Sequence, residues 1–209
     1  SAATADLSTN AAAFPAQGGK IATGQRIFTC GHSFHYFMPA ILDAVMETSG
    51  IKGHTTVGLS AIGGSPMSKH WLVPDDKNEA KAALRAGKVD VLTLSPMWLA
   101  DPGIEHFVDL AAEHNPNVRV TVQEFWLPND EYDPTYPVSF SKKVDHNAPT
   151  IAELRTRHEP YFKAMDEEVR RLNQKVGKQV VFAVPVGQAV LALREKVING
   201  QVPGIKTQS

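Results

Sequence analysis

Short apolar runs alternate along this chain with longer segments whose apolar residues recur every three or four positions. Residues 27–30 form one such run, and in residues 36–49 the apolar positions have helical spacing and are followed by the C-terminal cap Gly50. This alternation predicts a mainly parallel sheet with right-handed crossovers and helices on both faces. The predicted strands cover residues 27–30, 54–59, 89–94, 117–125 and 178–186, and the predicted helices cover residues 36–49, 79–86, 103–114, 151–176 and 188–198.

The size of the chain favours one globular domain. It has 209 residues, of which 43% are hydrophobic and 21% charged, enough for one core and too few to require two. We therefore assign residues 25–209 to a single domain and residues 1–24, rich in Ala, Ser, Thr and Gly, to an N-terminal arm. The arm lacks the charged-then-apolar pattern of a signal peptide, but its composition suits a processed protein, which favours an exported or periplasmic location.

Charge and composition restrict the possible partners. The formal net charge is −1, and the Lys and Arg residues are scattered, so the sequence predicts no binding to nucleic acid or to an acidic membrane surface. No apolar stretch approaches the roughly 20 residues that a membrane span needs. The only cysteine, Cys30, lies in the first predicted strand, which excludes an intrachain disulfide. A small, neutral or weakly charged ligand fits this chain best.

Two glycine-containing turns carry the candidate chemistry. Gly31-His32-Ser33 joins the first strand to the first helix, where a serine can cap the helix, act as a nucleophile, or do both. Gly63-Gly64-Ser65 follows the second strand and offers backbone N–H groups unobstructed by side chains, as an oxyanion site requires. Because the carboxyl ends of parallel strands share one edge of a sheet, we expect the two turns to converge.

These residues resemble two sequence blocks of the SGNH (GDSL-like) hydrolases, a family of flavodoxin-like esterases. An apolar strand followed by Gly-x-Ser and a hydrophobic residue is matched by Ile27-Phe-Thr-Cys-Gly-His-Ser-Phe34, and the glycine after strand two by Gly63-Gly64. The resemblance implies a flavodoxin-like three-layer α/β/α sandwich. It also implies that Ser33 is the catalytic nucleophile and that the backbone N–H groups of Ser33 and Gly64 form part of the oxyanion hole.

The third block of that family departs from the pattern. It usually carries Gly-x-Asn-Asp after strand three, with the Asn side chain donating to the oxyanion, but this chain reads Leu94-Ser-Pro-Met-Trp98. Ser95, the indole N–H of Trp98 or the side chain of Gln123 could replace the missing donor. Alternatively, Trp98 packs as a wall of the pocket.

The last block, Asp-x-x-His, departs further, because no histidine follows Val186. We expect the catalytic base to lie on a segment beyond residue 209; the alternative is that hydrolase activity has been lost. Within the chain, His70 is the best substitute base and His146 another, whereas His32 and His35 are expected to point away from Ser33. No His-x-x-x-His or cysteine pair predicts a metal site, and no cofactor is expected.

The favoured hypothesis is a hydrolase that cleaves a small or carbohydrate-linked carboxylic ester through Ser33 and an acyl-enzyme. Residues 126–150, rich in proline and aromatic residues, are interpreted as a functional cover or a disordered insertion. Within them, residues 126–136 are interpreted as a sugar- or ester-binding cover or as an ordered surface excursion. A non-catalytic ligand-binding module on the same fold is the alternative, and a nucleotide or phosphate binder using Gly63-Gly64 is a third hypothesis. The candidate substrate cleft comprises His32, His70, Ser95, Trp98, Gln123 and Trp126.

Overall fold

Five parallel strands form a single sheet in the order β2-β1-β3-β4-β5. The computed structural model describes residues 23–128, 130 and 145–207. This strand order is that of the flavodoxin-like folds, so the predicted α/β class is confirmed. Every predicted strand is present, and each bound lies within three residues of its predicted position: β1 (Arg26–Gly31), β2 (Thr55–Ala61), β3 (Val91–Leu94), β4 (Arg119–Gln123) and β5 (Val181–Val184).

Among the described residues, six helices connect and flank these strands. Five of them were predicted, but the one-turn helix α2 and the 3-10 turn Asp75–Lys77 that follows it were missed. The helices are α1 (Met38–Thr48), α2 (Met67–Trp71), α3 (Glu79–Arg85), α4 (Pro102–His114), α5 (Ile151–Val176) and α6 (Val186–Ile198).

Local sequence signals explain where the longer helices begin and end. Thr150 and Glu153 form a reciprocal capping box at the start of α5, and Gly177, with φ +78°, ends that helix in the left-handed conformation. At α4, the Asp101 side chain accepts from Gly103 N and Pro102 occupies the first turn, where its missing N–H costs nothing. The bounds of both helices therefore follow from residues close to their ends.

The main hydrophobic core lies on one face of the sheet. It joins alternate residues of β1, β3, β4 and β5 to the apolar faces of α3, α4 and α5. Right-handed crossovers place α1 on the opposite face, because the chain runs from β1 to β2 in one direction and returns from β2 to β3 in the other. Helices therefore cover both faces. The largest side chains of the core include Phe28, Leu92, Ile104, Phe107, Tyr161 and Met165.

The face under α1 is more polar. Thr29 and Thr93 lie side by side on β1 and β3, with their hydroxyl oxygens 3.1 Å apart. The apolar stripe of α1 is only partly covered, since Phe37, Ile41 and Val45 are each between 45% and 48% exposed. In the part of the chain that the structure describes, no helix combines the length and the apolar character needed to cross a bilayer.

Candidate functional site

Ser33 is exposed at the carboxyl edge of the sheet, directly beyond the end of β1. β1 pairs with β2 on one side and with β3 on the other, so Ser33 lies where the chain reverses its direction across the sheet. In open α/β sheets this reversal opens the crevice in which ligands bind. The structure thus places the predicted nucleophile where a ligand can reach it.

Helix capping does not explain Ser33. Helix α1 begins only at Met38, its N-cap residue is Phe37, and no side chain caps it. The intervening turn is instead held by the carbonyl of His32, which accepts from the N–H groups of His35 (2.9 Å) and Tyr36 (3.0 Å). The interpretation of Ser33 as an N-cap is therefore wrong, and the helix N-terminus expected beside it lies several residues further along the chain.

Gly31 allows the turn to fold closely against the end of β1. A Cβ atom at this position would lie 2.9 Å from Cβ of His35 and 3.0 Å from its ring, shorter than real contacts of this kind. Only glycine therefore allows His35 to pack there. The glycine of the Gly-x-Ser motif has a steric reason that is visible in this fold.

His35 anchors the Ser33 turn to the sheet. Its Nδ1 lies 2.8 Å from Gln123 Oε1 and its Nε2 lies 2.9 Å from Thr93 Oγ1, while the Gln123 amide donates to the carbonyl of Phe34 (3.2 Å). Burial lowers the pKa of His35, so the ring is neutral near pH 7. The side chain of Gln123, a candidate oxyanion donor in the sequence, therefore binds His35 and Phe34 of the turn.

His32 links the same turn to the end of β3. The ring is buried, its Nδ1 accepts from Phe34 N (3.4 Å), and its Nε2 lies 3.3 Å from Ser95 Oγ. Ser95 N in turn donates to the carbonyl of Cys30 on β1 (3.1 Å). Burial lowers the pKa of His32 to about 4, so the ring is neutral. Ser95, another candidate donor, therefore faces His32.

The glycine loop, defined here as residues 62–66, begins beside β1 with a hydrogen bond from Ile62 N to the carbonyl of Gly31 (3.2 Å). Gly64 adopts φ +52°, a conformation that favours glycine, and open space surrounds the position of a Cβ atom there. Beneath the loop, His70 is buried with Nδ1 2.7 Å from Ser60 Oγ and Nε2 2.9 Å from Ser65 Oγ. The two predicted turns therefore follow neighbouring strands, and His70 lies under the second of them.

Aromatic rings form one side of the site. Phe34, next to Ser33, stacks on Trp126 with ring centroids 4.1 Å apart and on Phe125 at 5.4 Å. Trp98 meets Phe125 edge-on at 5.0 Å, which agrees with its interpretation as a wall. Trp126 and Trp98 are half-buried. The predicted cover over residues 126–150 lies largely outside the described residues.

An ionic cluster that was not predicted from the sequence lies after β4. Asp130 is buried and forms a two-oxygen pair with Arg194 of α6, and its Oδ2 also lies 2.9 Å from Nδ1 of His146. Arg194 further donates to the carbonyl of His146 (2.9 Å). A carboxylate on Nδ1 is the arrangement that orients the base in hydrolytic triads. Residues that are 16 to 64 positions apart form the cluster, so no local motif reveals it.

A second buried carboxyl follows β4 directly. Glu124 is 1% exposed and accepts hydrogen bonds from N (3.3 Å) and Nε2 (2.8 Å) of Gln188, in the first turn of α6. Burial raises the pKa of Glu124 to about 7, despite those two donors. Within residues 23–128, 130 and 145–207, no three His, Cys, Asp or Glu side chains are grouped so that they could hold a metal ion.

Comparison with known proteins adds little to this geometry. No protein family and no curated protein matches the chain. Among solved structures, a hypothetical protein (Rv3272) from Mycobacterium tuberculosis is similar at 12% identity with a TM-score of 0.36. The alignment covers 88% of this chain, which spans 59% of the length of that protein.

Proposed function

We propose that this protein is a serine-dependent hydrolase of carboxylic esters, of the SGNH type, acting on a small or carbohydrate-linked acyl group. The observation that carries the proposal is the position of Ser33, which is exposed at the reversal point of a flavodoxin-like sheet and is needed by no helix as a cap. A rigid turn supports it, because buried side chains hold both His32 and His35.

In the proposed reaction, Ser33 Oγ attacks the ester carbonyl while its proton passes to a histidine. The backbone N–H groups of Ser33 and Gly64 stabilise the tetrahedral oxyanion. The C–O bond to the alcohol then breaks, the histidine returns the proton to the leaving alcohol, and water hydrolyses the acyl-enzyme by the reverse sequence. The Phe34–Trp126 stack beside Ser33 supplies a flat apolar surface for the acyl group or the face of a sugar.

The SGNH resemblance implies a histidine as the proton acceptor, and the three buried histidines beside the two turns do not fit that role. Both ring nitrogens of His32, His35 and His70 are engaged by neighbouring groups. His146 is the alternative within the chain, since the buried Asp130 holds its Nδ1 and leaves Nε2 as the basic atom. The substitution His146→Asn tests this assignment: a loss of activity of 100-fold or more, on the order of general-base contributions, assigns the base to His146, and unchanged activity excludes it.

One observation favours the alternative of a non-catalytic binding module. Among the described residues, no histidine ring is hydrogen-bonded to Ser33 Oγ. Such a module would keep the aromatic wall and the glycine loop and would bind an acylated ligand without cleaving it.

Covalent labelling with a fluorophosphonate tests the proposal. The expected result is a single adduct, located at Ser33 by peptide mass spectrometry, in the full-length protein and in the control variant Ser49→Ala, but not in Ser33→Ala. Ser49 is also exposed but lies at the opposite end of α1, which makes it a matched control. Hydrolysis of p-nitrophenyl acetate should fall by about 1000-fold or more in Ser33→Ala. A folded full-length protein that forms no adduct at Ser33 excludes the esterase and leaves the binding module.

A further inference from the structure

We infer that His70 is a positioning residue: it joins Ser60 of β2 to Ser65 of the glycine loop (residues 62–66) and so holds the loop with Gly64 N–H pointing at the oxyanion. The inference deepens the proposed function and rests on it. His70 was predicted as a candidate base, but its contacts assign it a different role, because one buried ring joins the end of β2 to the end of the loop.

The hydrogen bonds determine which ring nitrogen carries the proton. Ser65 Oγ donates its only hydrogen to the carbonyl of Ile62 (2.8 Å), so it must accept at 2.9 Å from Nε2–H of His70. Nδ1 of the neutral ring then accepts from the hydroxyl of Ser60 at 2.7 Å. Burial, with the nearby His32 and Lys69, lowers the pKa of His70 to about 4. The ring is therefore neutral near pH 7 and has no free nitrogen with which to accept the proton of Ser33.

Hydrogen bonds at both ends of α2 fix the helix that carries His70. The N–H groups of Met67 and Ser68, at the start of α2, donate to the Asp101 side chain, the Ser68 bond at 2.9 Å. Asp101 also caps α4, so one carboxylate joins the two helices. At the other end of α2, the Asn78 side chain donates to the carbonyl of His70 (2.9 Å). The position of the ring is therefore set by α2 and α4 and not by the loop.

Gly64 itself has no such anchor. Apart from neighbouring residues of the chain, no heavy atom lies within 4 Å of the position that a Cβ would take at Gly63 or Gly64, so nothing packs against the loop at these two positions. The placement of Gly64 N–H therefore depends on the hydrogen bonds on either side of it: Ile62 N donates to the carbonyl of Gly31 before it, and Ser65 binds the carbonyl of Ile62 and His70 after it. A displacement of about 1 Å in an oxyanion donor is enough to cost about 100-fold in rate.

Two conservative variants separate the two hydrogen bonds. The side-chain oxygen of asparagine can occupy the place of Nδ1 and accept from Ser60, whereas the side-chain nitrogen of glutamine can occupy the place of Nε2 and donate to Ser65. We expect kcat for p-nitrophenyl acetate to fall about 100-fold in His70→Ala, with KM changed less than about threefold. His70→Gln should keep most of the wild-type kcat, whereas His70→Asn and Ser65→Ala should lose about as much of it as His70→Ala. The control His114→Gln changes an exposed histidine in the last turn of α4 and should keep full activity.

Hydrogen exchange of the loop amides gives a readout independent of catalysis. Exchange over residues 62–66 should accelerate in His70→Ala and Ser65→Ala and stay slow in His70→Gln. Wild-type kcat in a folded His70→Ala, or unchanged exchange of the loop in that variant, overturns the positioning role. If the wild-type protein takes no fluorophosphonate at Ser33, the proposed function fails instead, and the exchange data alone then decide whether His70 holds the loop.

Discussion

Replacing Glu124 by glutamine tests how strongly burial acts on the carboxyl group behind the candidate site. Glu124 is 1% exposed and Gln188 is its hydrogen-bond partner, so its charged form loses nearly all contact with water. The pKa of Glu124 is raised to about 7 from an ordinary value of 4.5. A carboxyl whose folded-state pKa is raised stabilises the fold fully below its unfolded pKa. That stability is lost as the pH rises through the folded value.

The size of the effect follows from those two pKa values. Each unit of difference corresponds to about 1.4 kcal/mol, so ionisation of Glu124 costs the folded state about 3 kcal/mol at high pH. Glutamine keeps the shape of the side chain and one oxygen that can accept a hydrogen bond, but it never ionises. Between about pH 5 and about pH 8, the free energy of unfolding of Glu124→Gln should therefore rise by about 2.5 kcal/mol relative to the wild-type protein. The buried histidines titrate in both proteins, so their contributions cancel in this difference.

Urea unfolding followed by circular dichroism at several pH values measures this difference. Glu47→Gln is the matched control, because it removes an exposed carboxylate from α1 and should shift stability by a nearly constant amount across the same range. A difference between Glu124→Gln and wild type that does not change with pH refutes the reasoning, since Glu124 would then ionise as readily in the folded chain as in the unfolded one.

Two further substitutions test the packing and the ionic cluster. Gly103→Ala should destabilise the fold by about 1–3 kcal/mol, because a Cβ there would meet backbone atoms of Ser68 and Met67 at 2.1 and 2.2 Å. The control Gly63→Ala, with open space around it, should change thermal stability by less than about 1 kcal/mol, and equal effects of the two variants would contradict the close approach of α2 and α4. Arg194→Met should cost about 3–5 kcal/mol in urea unfolding, because it leaves Asp130 charged and buried, and adding Asp130→Asn should restore part of that loss. A double variant no more stable than Arg194→Met would show that the cost is not electrostatic.

The sequence predicts some parts of this molecule and not others, and the difference lies in how far apart the interacting residues are. The predicted bounds of α5, residues 151–176, agree with the structure, because its capping box and its terminal Gly177 are local signals. Helix α2 was missed, since it has one turn and its start is held by Asp101, more than thirty residues later in the chain. The Asp130–Arg194 pair joins residues 64 positions apart and was missed for the same reason.

The same distinction applies to the candidate site. Ser33 and Gly64 each follow an apolar strand and have glycine neighbours, so the sequence predicts that their turns lie at one edge of a parallel sheet. In the structure the two strands that lead to them, β1 and β2, are neighbours. The partners of His32 and His35 could not be predicted, because Thr93, Gln123 and Ser95 lie on or just after strands 58 to 88 residues away. His70 was predicted as a substitute base and His32 as a cleft residue, and both predictions considered the chemistry of the ring but not its surroundings.

Burial gives these histidines a common task. His35 holds the turn after β1, His70 the loop after β2, and His32 joins the turn after β1 to Ser95 after β3. A neutral imidazole can donate on one side and accept on the other, so it bridges two backbone segments with a ring that has few rotatable bonds. It also brings no net charge close to Ser33, so the oxyanion would be stabilised by fixed dipoles and not by a mobile cation. These buried histidines therefore limit the stability of the protein in acid. As the pH falls from about 6.5 towards about 4, His32 and His70 take up protons only in the unfolded chain, and the free energy of unfolding decreases.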